Sequence, residues 1–177
     1  MSDLLNRALV WRDYPSLLKA AGLEHAAPAV LEGPDRAEAM RRCIALLWGS
    51  FAGQSLSWIG FYAKEAEGDE MVLVCREPKP ACSPIGLHGM CGEGWQQKRP
   101  IIVRDVRTLG ANYIACDPKD QSELVLPVMN ADGSCWGVLD ADSFDLNAFD
   151  AHDARGMATV IERMGISSPN PAPAMHR

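Results

Sequence analysis

The stretch "SELVLPVMNADGSCWGVLDADS" at residues 122–143 constrains the fold more than any other part of the sequence. Two apolar runs rich in strand-forming residues flank "NADGS", and an Asp-Gly pair between such runs indicates a β-hairpin. Two further runs, "SLSWIGFYA" and "MVLVC", surround the turn residues "EAEGDE" and predict a second hairpin. Hairpin strands pair antiparallel, so we predict an antiparallel sheet rather than a parallel βαβ fold.

Helical periodicity precedes and follows the hairpins. A helix is predicted from "GPDRAEAM", with Asp35 as its cap and Glu38 completing a capping box. The last helix carries an apolar stripe, begins in an acid-rich turn with Asp150 and Asp153, and ends at Gly165. Between the hairpins, "CGEGWQQK" predicts a short helix and "IIVRDV" a strand, with irregular loops at 76–90 and 107–121.

This order of elements predicts one α+β domain with an antiparallel sheet and helices packed against it. We place the domain at residues 1–166, with an N-terminal helical segment at 1–31. The polar, Pro-rich residues 167–177 are predicted to be a disordered tail.

Charge and composition exclude several classes of protein. The net charge of −6 argues against nucleic acid as a partner, because phosphate binding depends on clustered Lys and Arg. No apolar stretch is long enough to span a bilayer, and the first residues lack a signal-peptide pattern, so we predict a cytoplasmic protein without a membrane partner. The six cysteines form no C-x-x-C pair, which argues against a zinc ribbon and a thioredoxin-type motif, and we predict no metal site.

Strand alternation places polar and aromatic side chains on shared faces. Trp58, Gly60 and Tyr62 share one face of their strand, opposite Ile59 and Phe61. The same alternation groups Glu123 with Val125 and Pro127, and Trp136 and Val138 with Asp140 and Asp142. Acids are depleted in strands, so two interpretations remain: solvated acids at a strand end, or an aromatic-floored acidic cup suited to a small ammonium ligand.

Cys116 raises a related question, because it lies in "IACDPKDQSE" among Asp117, Asp120 and Glu123. Thiolates are usually favoured by cations, so a reactive cysteine among carboxylates is unusual. Cys116 is therefore either an inert thiol or one whose chemistry needs acid nearby.

Taken together, "WIGFY", "PAC", "MCG", "IACD", "SELVLPV" and "GVLDADS" occur in an order that resembles the free methionine-(R)-sulfoxide reductases, which are single GAF domains. The resemblance covers roughly residues 55–165. It implies a GAF fold, with a sheet of about six antiparallel strands, helices on one side, and a ligand pocket under loops on the other. It also implies reduction of free methionine sulfoxide, with thioredoxin as the external reductant and no cofactor.

The resemblance also assigns roles to eight positions. It makes Cys116, Cys82 and Cys91 the redox cysteines, with Cys116 as nucleophile, Cys82 as the first choice for the resolving thiol and Cys91 as the second. It places the substrate pocket at Trp58, Tyr62, Glu123, Asp140 and Asp142.

The acids near Cys116 could take part in sulfoxide reduction, because a thiol attacks a sulfoxide more readily when a carboxylic acid protonates the sulfoxide oxygen. Asp142 would assist at that oxygen, Glu123 and Asp140 would hold the substrate ammonium group, and Trp58 and Tyr62 would pack on its methylthio end. The start of the "CGEGWQQK" helix is a candidate seat for the substrate carboxylate. A non-catalytic GAF sensor and a redox-signalling protein remain alternatives, and a homodimer is left open.

Overall fold

The computed structural model describes residues 11–64, 67–110 and 116–177. Residues 1–10 of the predicted N-terminal helical segment, 65–66 of the first hairpin turn, and 111–115 of the loop before Cys116 lie outside the described residues. The described helices and strands are α1 (Tyr14–Ala20), α2 (Gly33–Phe51), β1 (Trp58–Lys64), β2 (Glu70–Glu77), β3 (Ile85–Gly86), α3 (Met90–Gln97), β4 (Ile101–Val103), β5 (Ser122–Met129), β6 (Cys135–Ser143), α4 (Ala151–Arg163) and β7 (Met175–His176).

Both predicted hairpins are present and lie side by side in one sheet. The strand order is β3-β2-β1-β6-β5-β4-β7, so the β1–β2 hairpin meets the β5–β6 hairpin at the antiparallel β1–β6 pair. β1, β6 and β5 are therefore adjacent strands in the middle of the sheet. Their polar positions become neighbours there.

The C-terminal tail differs from the disordered segment predicted at 167–177. Its last residues form β7, which pairs parallel with β4 and raises the strand number from the expected six to seven. Met175 N–H donates to Pro100 O at 2.8 Å, and Arg177 pairs with Glu93. Without β7, the outer edge of β4 would leave its backbone groups unpaired. This long-range pairing was not predicted, because a polar, Pro-rich sequence gives no local sign of it.

The helices cover both faces of the sheet, whereas the sequence predicted them on one. α1, α2 and α4 bury the larger apolar core, which includes Ile59, Phe61 and Leu139. α3 packs on the opposite face, against β5 and β6. A Cβ at Gly94 would lie 2.8 Å from Val125 Cγ1, so a glycine at this position lets α3 approach β5 closely.

Two local predictions need correction. α2 begins at Gly33 after Glu32, so Asp35 lies in its first turn and does not cap it. Trp136 packs toward the helical core rather than sharing a face with Asp140, because the β5–β6 pairing jumps from Val128↔Gly137 to Met129↔Cys135. The extra residue in this β-bulge reverses the alternation before Gly137.

Other predictions are confirmed. Asp150 caps α4 in a capping box with Asp153, and α3 covers the predicted "CGEGWQQK" helix. In the part of the chain that the structure describes, no helix is both long and apolar enough to cross a membrane.

Candidate active site

The polar positions of β1, β5 and β6 form two rows on the face that carries α3. In the first row, Asp142 on β6 stands between Trp58 on β1 and Glu123 on β5. In the second row, Asp140 stands between Gly60 and Val125. Directly opposed side chains in such pairs lie about 5 Å apart at Cβ, so three carboxyl groups converge on one small area.

The aromatic side chains lie beside these acids and are held in place by a loop. The Trp58 and Tyr62 ring centroids lie 6.1 Å apart. Trp58 Nε1 donates to Lys79 O and Tyr62 OH donates to Cys82 O, each at 2.9 Å. These bonds fix the 79–82 backbone across the edge of the site.

Gly60 makes room for the tryptophan. A Cβ at this position would lie 2.3 Å from the Trp58 ring, so the indole lies over the Gly60 backbone. Any larger residue at position 60 would displace the ring from the sheet surface. Gly60 therefore shapes the site without contributing a side chain.

These elements enclose a cavity of about 40 Å³. Seven of the eight residues assigned from the sequence line it: Trp58, Tyr62, Cys91, Cys116, Glu123, Asp140 and Asp142. The eighth, Cys82, is exposed and is not among the lining residues. The cup interpretation of the strand acids therefore agrees with the geometry, and the interpretation as solvated strand-end acids does not.

The three strand acids are in an environment that opposes ionisation. Glu123 and Asp140 are 6 % and 7 % exposed, and burial followed by the charges of neighbouring acids raises the pKa of both well above its usual range. Asp142 keeps some exposure, and its pKa is raised well above the usual range by the same two causes. Asp140 Oδ1 is buried without a hydrogen-bond partner among the described residues.

The thiols of Cys82 and Cys116, here called the mouth thiols, lie next to each other. Burial and then a hydrogen bond with the Cys82 side chain raise the pKa of Cys116 to about 12. Cys82 is therefore close enough to Cys116 to shift its pKa, and a disulfide between them would require such proximity. Both cysteines are free and exposed, so the pair is accessible from outside.

Cys91 lies deeper and interacts with the acids. It is buried at the start of α3, and its pKa is raised well above the usual range by burial and then by Asp140 and Glu123. One ligand-capable atom from each of Cys91, Glu123 and Asp140 lies within 4.8 Å of the other two. The resemblance assigns all three residues to the active site, but the contact of this thiol with the acids was not predicted, because the three residues come from α3, β5 and β6.

Asp117 and Asp120, which lie on the predicted irregular loop at 107–121, differ in their environments. Asp117 is in an ion pair with Lys79 at the surface. Asp120 is 7 % exposed, accepts a hydrogen bond from Ser57 Oγ at 3.3 Å and lines the cavity. Gln121 N–H donates to Ser143 O at 2.8 Å, which draws the end of this loop onto β6 and buries Asp120.

Sequence reasoning also missed Lys79, which sits outside every motif. Its side chain joins the Asp117 loop, and its backbone carbonyl holds Trp58. Lys79 thus links the segment that carries Cys82 to the segment that carries Cys116. A lysine next to two prolines in "EPKP" gives no local signal of such a contact.

Comparisons with known proteins agree with this geometry. Residues 33–167 match the family model described as GAF domain. GAF domain-containing protein A of Dictyostelium discoideum is 39% identical over 59% of this chain and 65% of its own length. The free methionine-R-sulfoxide reductase of Saccharomyces cerevisiae is 34% identical over 62% of each chain. The aligned region thus spans just under two thirds of these two relatives.

A solved structure extends the likeness to most of the chain. The free methionine-R-sulfoxide reductase of Neisseria meningitidis, solved with its substrate, superposes with a TM-score of 0.67 at 30% identity, covering 87% of both chains. Matches of fold, family model and sequence thus converge on one group of proteins. The chain belongs to the GAF domain family, in the group that includes the free methionine-R-sulfoxide reductases.

Proposed function

We propose that this protein reduces free L-methionine-(R)-sulfoxide to methionine. The observation that carries the proposal is one cavity lined by Cys116, by four buried or partly buried carboxyl groups, and by Trp58 and Tyr62. Two similar proteins named above, from yeast and Neisseria, are free methionine-R-sulfoxide reductases. The cavity combines a nucleophile, a proton donor and a seat for an ammonium group.

Recognition of a free amino acid would use two adjoining parts of the cavity, because the strand acids lie against the start of α3. Glu123 and Asp140 would receive the ammonium group, which gives the unpartnered Asp140 Oδ1 a hydrogen-bond donor. Gly89 and Met90 at the start of α3 line the cavity, and the free N–H groups of that helix end would receive the carboxylate. The methylthio end would pack on Trp58 and Tyr62. A free amino acid has both the ammonium group and the carboxylate that these two positions would bind, whereas a residue inside a peptide chain has neither.

The chemical step transfers one oxygen atom. Cys116 Sγ attacks the sulfoxide sulfur as its thiol proton leaves, and Asp142 donates a proton to the sulfoxide oxygen. The attack forms a transient S–S bond. The protonated oxygen then moves to Cys116 Sγ as the S–S bond and the substrate S–O bond break, which leaves one S–O bond on Cys116. The products are methionine, reduced by two electrons, and a Cys116 sulfenic acid, oxidised by two. The thiol proton restores the protonated Asp142.

Regeneration uses the neighbouring thiol. The Cys82 thiol displaces hydroxide from the sulfenic acid, forming a Cys82–Cys116 disulfide and water. Thioredoxin, the proposed external dithiol, then reduces the disulfide by exchange. The contact between Cys82 and Cys116 supports Cys82 as the resolving thiol ahead of Cys91, whose thiol lies against Asp140.

The test is NADPH oxidation in the presence of thioredoxin, thioredoxin reductase and each epimer of free methionine sulfoxide. We expect turnover with the R epimer only, and a loss of at least about 10³-fold in Cys116→Ser. The matched control is Cys135→Ser, which removes a half-buried thiol outside the cavity and should keep full activity. No turnover with the R epimer, or undiminished turnover in Cys116→Ser, would contradict the proposal.

A second candidate is a GAF module that binds a small molecule without catalysis. The raised pKa of Cys116 favours it, because a thiol with a pKa of about 12 is a weak nucleophile at neutral pH. The adjoining acids and the Cys82 contact favour the reductase. Calorimetry separates the two: a sensor would bind its ligand equally well before and after thiol alkylation and would show no turnover.

A further inference from the structure

We propose that Cys91, Glu123 and Asp140 form a binding site for a zinc-class divalent cation, whose occupancy excludes the substrate. The predicted reductase chemistry needs no metal, so this site would be inhibitory. The cation-binding part stands on geometry alone, and the inhibition rests on the function proposed above.

Geometry is the first support. The three ligand-capable atoms lie within 4.8 Å of one another, and all three residues are buried. Zinc takes Cys sulfur at about 2.3 Å and carboxylate oxygen at about 2.0–2.2 Å, so ligands around one ion are separated by roughly 3–4 Å. Side-chain rotations that move these atoms by about 1 Å would bring them to that spacing. The supporting β5–β6 backbone is fixed by its ladder.

An unpartnered acceptor is the second, independent support. Asp140 is 7 % exposed, and its Oδ1 has no hydrogen-bond partner among the described residues. No ion pair joins Glu123, Asp140 or Asp142 to a cationic side chain within the described ranges 11–64, 67–110 and 116–177. A buried pair of carboxyl groups is stabilised by a cation placed between them.

Cys91 decides which cation fits. An ammonium group needs hydrogen-bond acceptors, and a thiol is a weak one. Zinc accepts thiolate together with carboxylate ligands, whereas Mg²⁺ takes oxygen ligands almost entirely. A cluster of one thiol and two carboxyls therefore selects a zinc-class ion over the hard cations. The fourth coordination position would face the cavity and hold water.

Zinc at this position would occupy the groups that receive the substrate. Glu123 and Asp140 cannot bind an ammonium group while they ligate a cation, and a positive ion in the cavity would repel that group. Zinc would therefore compete with methionine sulfoxide. The Cys82–Cys116 pair would remain free to form its disulfide.

The experiment titrates the full, reduced chain with ZnCl₂, after chelator treatment, by calorimetry and by competition with a chromophoric chelator. We expect one Zn²⁺ per chain and no measurable binding of Mg²⁺. Cys91→Ser and Glu123→Gln should each weaken zinc binding by at least about tenfold, and Cys135→Ser should leave it unchanged. Near-ultraviolet circular dichroism confirms that each variant is folded, and two independent ligand variants guard against a folding defect in one.

Cys116→Ser provides the decisive contrast. Retained affinity in this variant supports the buried site, whereas loss of affinity there, with binding kept in Cys91→Ser, moves the ion to the mouth thiols and overturns the proposal. Binding of Mg²⁺ as tight as that of Zn²⁺ also overturns it. Zinc binding is measured without substrate, so a chain that binds zinc at Cys91 but lacks reductase activity refutes only the proposed function. An active reductase that binds no zinc refutes only this inference.

Discussion

The two faces of the sheet each bury carboxyl groups but treat them in opposite ways. On the helical side, Asp153 accepts hydrogen bonds from Arg12 Nη1 at 3.0 Å and from Tyr14 OH at 2.9 Å. On the cavity side, Glu123 and Asp140 are buried without a cationic partner among the described residues. The helical side of the molecule therefore holds a paired acid on α4, and the cavity face of the sheet holds unpaired acids on β5 and β6.

The difference separates buried charged groups that stabilise the fold from buried acids that are available to bind a ligand. Arg12 is fully buried, and its Nη1 and Nη2 atoms also donate to Ala148 O and Gln54 O, which ties the segment before α1 to α4 and to the end of α2. The cavity acids tie no elements together by ion pairs. Unpaired buried acids lower stability, and sites that bind or react commonly carry such a cost.

Asp142→Asn should have the largest effect on the cavity side. The amide keeps the shape but cannot donate an acidic proton to the sulfoxide oxygen, so kcat for the R epimer should fall about 10²–10⁴-fold. Steady-state kinetics measure this, with Asp132→Asn in the exposed turn between β5 and β6 as the control that keeps kcat. A kcat within threefold of the parent would remove Asp142 from the chemical step.

Arg12→Leu should have the largest effect on the helical side. It leaves Asp153 buried without its cation, and breaking one partner of a buried pair costs about 3–5 kcal/mol in the free energy of unfolding. Urea denaturation measures the change. The matched control is Arg41→Leu, which breaks an exposed pair with Glu38 and should cost less than about 1 kcal/mol. Similar losses in the two variants would show that the buried pair has no special weight.

Strand alternation predicted part of the cavity face. Period two grouped Trp58 with Tyr62 and Asp140 with Asp142 on shared strand faces, and the strands of each predicted hairpin pair antiparallel. The family resemblance, not the alternation, assigned these residues and Glu123 to one pocket. Alternation failed at Trp136, because a bulge adds one residue to β6 and leaves no mark in the apolar pattern. Residues placed by local periodicity were therefore predictable as long as the ladder stayed regular.

Contacts between loops were not predictable from the sequence. The Lys79–Asp117 pair, the buried position of Asp120 and the pairing of β7 with β4 all join residues from separate segments. Local composition describes such residues correctly as polar and turn-forming, but it carries no information about which distant segment covers them. The contact of the Cys91 thiol with Glu123 and Asp140 was not predicted for the same reason.

Asp140→Asn tests the stability cost of the cavity side. Because the folded-state pKa of Asp140 is raised, the native state loses stability as pH rises and this carboxyl group ionises. The amide cannot ionise, so the variant should be more stable than the parent by about 2 kcal/mol at pH 8 and nearly equal to it at pH 4. Urea midpoints at the two pH values measure this. A variant less stable than the parent at pH 8 would show that the carboxylate helps to hold the fold.

Asp120→Asn should give the smallest effect, and it shows at which pH the ionisation of a buried cavity acid lowers the free energy of unfolding. Burial and then the charge of Asp117 raise the pKa of Asp120 to about 6, above its ordinary value of 3.8. Stability from the neutral acid is complete below pH 4 and is lost as pH rises through 6. Solvent at the cavity mouth screens the charge, so we expect the asparagine variant to gain about 1 kcal/mol above pH 7 and nothing at pH 4.

The control for Asp120→Asn is Asp117→Asn, where the sign should reverse. Its ion pair with Lys79 lowers the pKa of Asp117, so the charged form is the one that the fold favours. Asp117→Asn should therefore gain no stability above pH 7. Two neighbouring acids on one loop would then respond oppositely to pH, as the paired and unpaired acids of the two sheet faces do. Equal pH dependence in both variants would show that the distinction does not extend to the loop.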